Sequence, residues 1–337
     1  MNATLPTSDA LRTALAALLA GLPPTQAAQA VERLIASYRG TTPTDAPVLR
    51  NRSDVAAYAA YRMPATFEAV RSALGALREA APDWTPATHT DVGGGTGAAS
   101  WAVAGAWEGP RTTVRTTVLD WAEPALALGR ELAAASGIPG LRDAEWRRTR
   151  IGTGIELEPA DLVTISYVLK ELTPRAAAEL ADAAAAAAQA VVIVEPGTPD
   201  GYARIIAARD RLIAAGMSVA APCPHSGACP IEPGTDWCHF AARVSRSSLH
   251  RQVKGGSLSH EDEKFSYVVA TRFPAQPVRA RVIRKPQIRK GLVLLELCTR
   301  DEGLRGATVS KRQGTLYRDA RDTAWGDAWP PPHAPED

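Results

Sequence analysis

Thr88-His-Thr-Asp91-Val-Gly93-Gly-Gly-Thr-Gly97 is the stretch that decides how this chain is read. A short strand over Thr88–Val92 runs into a glycine loop, and the loop opens a helix over Gly97–Trp107. Glycines at such a turn let the backbone bend sharply and approach a ligand closely, while the helix N-terminus presents unpaired N–H groups. The next apolar run, Thr113–Leu119, ends in Asp120, 23 residues after Gly97. A carboxylate at that place accepts from both hydroxyls of a ribose.

Outward from this loop the same alternation continues to about Gly216, the sign of a parallel sheet with crossover helices. A helix is expected over Pro124–Ser136, a buried strand over Asp161–Ser166, a helix over Pro174–Ala190, a strand over Val191–Val194 and a helix over Tyr202–Ala215. Residues before the loop read as helical. Leu11, Leu15, Leu18 and Leu19 recur at helical spacing, a second helix covers about 25–38, and two more, Ser53–Arg62 and Pro64–Ala80, are split at Met63-Pro64. Beyond Met217 the chain turns to Pro, Gly, Cys and His, then to basic segments with strands at Ser266–Arg272, Val278–Ile283 and Leu292–Leu297. The expected division is a helical region 1–85, a Rossmann-like domain 86–216, a cysteine-bearing, β-rich basic extension 217–330 and a disordered tail 331–337.

Two cofactor classes use the loop's spacing. Gly93-x-Gly95-x-x-Ala98 satisfies a dinucleotide fingerprint. Asp91-x-Gly93-x-Gly95-x-Gly97 satisfies the acid-led pattern of S-adenosylmethionine (SAM) enzymes. The leading Asp91 suits the cationic methionine end of SAM, and nothing later resembles a dehydrogenase active site, so SAM is favoured. The expected cofactor edge is Asp91, Gly93, Gly94, Gly95, Gly97, Asp120, Tyr167, Glu195 and Pro196, the last three at the ends of the strands Asp161–Ser166 and Val191–Val194.

Four cysteines in 337 residues are too few for a disulfide scaffold. Three of them, Cys223, Cys229 and Cys238, fall within sixteen residues rich in proline and glycine, and Cys298 closes a later apolar run. Four thiolates suit a 4Fe–4S cluster or a zinc site, and His225 or His239 is close enough to replace one thiolate on zinc. Spacing alone leaves that choice open.

The net charge of +2 hides an asymmetry: residues 241–318 carry 17 Lys or Arg against 6 Asp or Glu, and the remainder sums to −9. A basic third of this kind is the footprint of a polyanion. Arg243, Arg246, Arg251, Lys254, Arg284, Lys285, Arg289, Lys290, Lys311 and Arg312 are the expected phosphate contacts. No run approaches the roughly 20 apolar residues of a membrane span, and the start lacks a basic signal region, which points to a cytoplasmic protein without a membrane role, expected to act as a monomer.

Taken together, Asp91–Gly97, Ser166-Tyr-Val-Leu-Lys-Glu-Leu172, Glu195-Pro-Gly-Thr-Pro199, Pro222-Cys-Pro-His225, Cys229-Pro230, Asp236-Trp-Cys-His-Phe240, Lys311-Arg312 and Trp325-Gly-Asp327 resemble the methyltransferase-like proteins associated with the small ribosomal subunit of bacteria and mitochondria. The resemblance implies a class I SAM-binding fold, a 4Fe–4S cluster on Cys223, Cys229, Cys238 and Cys298, and a role on the small subunit and its rRNA, in assembly or translation. It implies a SAM-dependent RNA methyltransferase or, alternatively, an inactive assembly factor built on that fold; a nucleotide-dependent oxidoreductase is the more distant alternative. The Asn/Asp-Pro-Pro-Tyr signature of amine methylation is absent from the sequence, and no catalytic residue is assigned.

Overall fold

The computed structural model describes residues 7–20, 52–107, 113–232, 234–246 and 258–331, with isolated positions 25, 29, 31, 32 and 109. Most of the expected second helix, the loop after it, Arg251, Lys254 and the tail from 332 onward lie outside the described residues.

Two helices lead in, α1 (Thr7–Ala20) and α2 (Arg52–Ala80). The expected split at Met63-Pro64 does not occur: Pro64 sits inside one 29-residue helix. A mid-helix proline costs about 3 kcal/mol. Burial of Val55, Ala59, Met63, Phe67, Val70, Leu74 and Leu77 along one face offsets it.

The larger sheet follows: β1 (Thr88–Val92), α3 (Ala98–Trp107), β2 (Arg115–Asp120), α4 (Glu123–Ala134), the short α5 (Pro139–Arg142), β3 (Glu145–Arg148), β4 (Ala160–Ser166), α6 (Pro174–Ala187), β5 (Ala188–Pro196), α7 (Pro199–Ala214), β6 (Ser218–Ala221), β7 (Phe240–Ser245) and β8 (His260–Thr271). Its order is β3-β2-β1-β4-β5-β8-β6, with β7 also on β8. The first five strands pair in parallel, and β8 runs antiparallel to β5. Thr173 and Thr198 cap α6 and α7 by accepting from Ala176 N and Gly201 N, and a proline occupies the first turn of each.

Strand alternation divides the core between two faces. Val192 and Val194 join Leu162, Phe265, Tyr267 and the faces of α1–α4, whereas Val191 and Ile193 join Val163, Ile165, Val268 and the faces of α6 and α7. The Ala-rich α6 buries Ala176, Leu180, Ala181, Ala184 and Ala185, the close packing its composition predicts. It stops at Ala187, because Ala188-Gln-Ala190, expected in the helix, begins β5: Ala188 pairs with Ala160 and Ala190 with Leu162.

The expected boundary at 216 falls inside this sheet, since β6, β7 and β8 complete it. At Phe265, β8 pairs with Pro196 of β5 on one edge and Phe240 of β7 on the other. β7 therefore shares its lane with β6, and residues 222–239 interrupt that lane. A second sheet is built from β9 (Ala280–Val282), β10 (Gln287–Arg289), β11 (Leu292–Thr299), β12 (Gly303–Ser310) and β13 (Ala328–Trp329), with α8 (Thr315–Asp322) packed on it. Val282, Val293, Leu295, Leu297, Val309 and Trp329 form its core. Among the described residues no helix is long and apolar enough to cross a membrane.

One buried polar chain ties the centre of the larger sheet together. Asp91 accepts from Ser100 Oγ (2.9 Å) on α3 and from Thr164 Oγ1 (2.9 Å) on β4, and Thr164 Oγ1 lies 2.8 Å from His89 Nε2. Burial lowers the His89 imidazole to about 3 and pushes the Asp91 carboxyl up to about 6.

The two groups have opposite linkage. His89 stays neutral in the fold while the unfolded chain takes a proton near 6.5, so its contribution is complete above 6.5 and is lost as pH falls toward 3. Asp91 contributes fully below 3.8, and that contribution is lost as pH rises through about 6. His89→Gln should therefore lose less stability than the parent between pH 7 and pH 4.5, measured as the shift in urea midpoint. An equal shift in both proteins would locate the acid sensitivity elsewhere.

Candidate functional site

The carboxyl ends of β1, β2, β4, β5 and β6 lie along one edge, and the sequence-predicted residues gather there. Gly93 and Gly94 donate to Leu119 O (2.7 and 3.2 Å), which pins the loop to the end of β2. Gly93, Gly95 and Gly97 all take positive φ. Gly95 is the one with open space beside it: a Cβ there would meet only Asp120 Oδ2, at 3.8 Å. Asp120 accepts from Gly95 N (2.9 Å) and Ala122 N (2.8 Å), and burial pushes its carboxyl up while those N–H bonds hold it down.

Several predicted cofactor residues are used internally. Asp91 is fully buried in the chain described above and does not line the edge. Glu195 is also fully buried, paired with Arg204 (2.7 Å) and accepting from Leu169 N (3.0 Å), where it fixes the turn after β4. Tyr167, at φ 61, donates to Glu263 (3.0 Å), and Arg62 lies over its ring at 5.4 Å while pairing with the same Glu263. Pro196 ends β5 beside Gly197, whose N–H donates to Lys264 O (2.9 Å). Sequence reasoning passed over Trp121. It directly follows Asp120 at the end of β2 and is 44% exposed, an aromatic side chain with accessible surface beside the glycine loop.

The four cysteines line one cavity, although they come from two segments: Cys223, Cys229 and Cys238 from the interrupting loop and Cys298 from β11. Tyr202, Ile231, Phe240, Tyr267 and Ile283 complete its wall. Cys229 Sγ lies 3.1 Å from Tyr202 Oη, and Cys298 Sγ lies 3.8 Å from His225 Nε2. Burial pushes the Cys223 and Cys238 thiols up, and Cys298 to about 12. As they stand, among the described residues, no three of His, Cys, Asp or Glu are placed to hold a metal ion. The chemistry of the surroundings nevertheless fits an anionic occupant. Arg209 and Arg281 are 1% and 2% exposed beside these thiols. Arg209 donates to His225 O (3.1 Å) and Gly227 O (2.6 Å), yet among the described residues its buried Nε has no hydrogen-bond partner. Arg281 donates to Pro222 O (3.2 Å) and Gly326 O (2.8 Å). A legible signal existed for Arg209, which interrupts the apolar stripe Tyr202, Ile205, Leu212 of α7. Trp237 Nε1 donates to Gly197 O (3.0 Å), joining the cysteine loop to the end of β5.

The predicted phosphate contacts separate. Arg243 pairs with Asp262 and Arg246 with Glu261, both at 3.3 Å across β7 and β8. Arg284 pairs with Asp236 and donates to Trp237 O (3.3 Å), bracing the cysteine loop. These three were expected on phosphates and instead meet carboxylates: strand register places Asp262 opposite Arg243, Glu261 reaches Arg246 at the end of the same ladder, and Asp236 of the cysteine loop meets Arg284. Lys285, Arg289, Lys290, Lys311 and Arg312 are exposed. Lys311 N donates to Gly291 O (2.9 Å), which sets Lys311 beside the β10–β11 turn carrying Arg289 and Lys290, next to exposed Ile288 and Leu292.

A parallel sheet in this strand order, with one antiparallel lane and a glycine loop after β1, defines a class I methyltransferase-like fold. The chain belongs to the Rsm22 family: the model described as "Mitochondrial small ribosomal subunit Rsm22" matches residues 52–330. It is 28% identical over 293 residues to the human "Ribosome assembly protein METTL17, mitochondrial", covering 81% of this chain and 62% of that protein. It is 30% identical over 182 residues to a Schizosaccharomyces pombe "Rsm22-cox11 tandem protein 2, mitochondrial", covering 42% and 24%. The chain thus spans less than two thirds of these curated relatives. Among solved structures it aligns with a putative RNA methyltransferase from Pyrococcus horikoshii (12% identity, 72% of this chain, 96% of that one, TM-score 0.37) and an O-methyltransferase family protein from Burkholderia thailandensis (15%, 72% and 68%, TM-score 0.41). Both curated relatives are named as mitochondrial, so the expectation of a cytoplasmic protein gains nothing from them.

Proposed function

We propose that this chain is a small-subunit assembly protein that binds SAM at the glycine loop, carries a 4Fe–4S cluster on Cys223, Cys229, Cys238 and Cys298, and grips rRNA through the exposed end of its second sheet. The observation that carries the reading is the cavity itself: four thiols from two segments far apart in sequence around one space, with two buried guanidinium groups beside them. A single zinc, with Zn–S near 2.3 Å, gathers its sulfurs within about 4 Å of one another. A cluster sets its thiolates farther apart, around a larger body. Such a cluster would supply cross-links between the loop and β11.

SAM would be held by the backbone at Gly93–Gly97, by Asp120 at its ribose and by Trp121 at its base; when bound it supplies an electrophilic methyl group. Methyl transfer to rRNA is the second reading, favoured by the fold. Against it stands Tyr167, at the carboxyl end of β4, whose ring is covered by Arg62 and whose hydroxyl is held by Glu263. Assembly through RNA binding is therefore the stronger reading.

Three measurements test this. Anaerobically purified protein should show the broad visible absorption of a cluster, and Cys229→Ser should lose iron and stability; a variant that keeps both overturns the ligand set. In calorimetric titration with SAM, Asp120→Ala should weaken binding by about 1–3 kcal/mol, and Gly95→Val should abolish it by filling the ligand's space. For small-subunit RNA, replacing Lys285, Arg289, Lys290 and Lys311 with Gln should reduce the log–log salt slope by about 3 and leave SAM affinity unchanged.

A further inference from the structure

A second cavity, about 430 Å³, lies between α2, β7 and the segment that follows α8. Its wall holds the rings of Phe240, Tyr267 and Trp325, and its polar lining is acidic, with Glu79, Asp319, Asp322 and Asp327. Among the described residues, the one basic lining residue, Arg281, is already engaged with Glu79 (3.4 Å), Gly326 O and Pro222 O.

The cleft is built by rigid local structure. Thr323 returns to α8 through two bonds to Asp319 O (2.9 Å from its N, 2.8 Å from its Oγ1), and Asp327 Oδ2 accepts from Ala324 N (2.7 Å). Gly326, at φ +100, packs close to the Phe240 ring, where a Cβ would come within 3.3 Å of its Cδ1.

Asp319 and Asp322 carry the argument further. They sit three residues apart in the last turn of α8, on one face. Like charges at that spacing repel, and carboxylates at a helix C-terminus oppose the macrodipole. Among the described residues neither has an ion-pair partner, although Arg318 is four residues before Asp322 and donates instead to Thr315 Oγ1 (3.1 Å). A helix that breaks two electrostatic rules at once, facing an aromatic-walled cleft, is relieved by a cation from outside.

We propose that this cleft docks an arginine side chain of a basic protein segment, its guanidinium spanning Asp319 and Asp322 and stacking on Trp325. Arginine fits better than lysine because a planar guanidinium meets two carboxylates and an aromatic face together. The cleft exceeds one side chain, so it also takes the flanking backbone. Phosphate-bearing partners are repelled here, which separates this acidic face from the basic end of the second sheet.

The test uses the full chain as purified and a fluorescein-labelled, amidated peptide Gly-Ser-Arg-Gly-Arg-Ser-Gly, followed by fluorescence anisotropy at low salt. The parent should bind it. Asp319→Asn/Asp322→Asn should bind at least about tenfold more weakly, and the peptide with citrulline for arginine should not bind. Asp322→Lys, at an exposed position that leaves the fold intact, should weaken binding further. Glu156→Gln/Asp301→Asn makes the same change in net charge elsewhere and should leave binding unchanged. Equal loss in that control, equal binding of the citrulline peptide, unchanged binding by the Asp319/Asp322 variant, or displacement by spermine at matched charge would each overturn the proposal.

Discussion

The Asp91 carboxylate is the constraint on which the rest of the architecture turns. It has no solvent to rely on, and both of its oxygens are committed, one to Ser100 and one to Thr164. That fixes the start of α3 against β1 and β4, and so fixes the glycine loop between them. The backbone at Gly93 and Gly94 then reaches the end of β2, which sets Asp120 beneath Gly95. A carboxylate that the sequence suggests for a ligand is therefore the internal brace that shapes the glycine loop.

A second brace operates at the far end of the same sheet edge. The loop carrying three cysteines has little regular structure of its own, and its carbonyls are held by guanidinium groups arriving from α7 and β9. Trp237 adds a bond to Gly197, just past β5. The glycine-loop edge and the cysteine cavity are thus neighbouring parts of one margin, with Glu195 and Arg204 beneath it.

Much of this was legible. The glycine loop, the buried strands and the Ala-rich helix follow from spacing and composition, because each depends on local geometry or continuous burial. What escaped depends on partners distant in sequence. Pro64 stays helical because the core rewards continuity more than the ring penalises it. Glu145-Trp-Arg-Arg148 becomes a strand only because β2 offers it an edge, and β12, with two glycines, is held by eight residue pairs to β11. Charge counts predicted a basic region but not that β7 and β8 would set Arg243 opposite Asp262. The sequence likewise separates Cys298 from the other cysteines, and only the second sheet brings it to their cavity.

That last arrangement has a consequence for vectorial synthesis. Chains emerge N-terminus first and their units fold as they appear. Cys223, Cys229 and Cys238 are laid down between two strands of the larger sheet, and β8, which pairs with both, follows within about thirty residues of Cys238. The three-thiol wall can therefore be assembled while Cys298 is still inside the ribosome that is making it. The fourth wall arrives only with β11, so the cavity closes only after every strand of the larger sheet has been made.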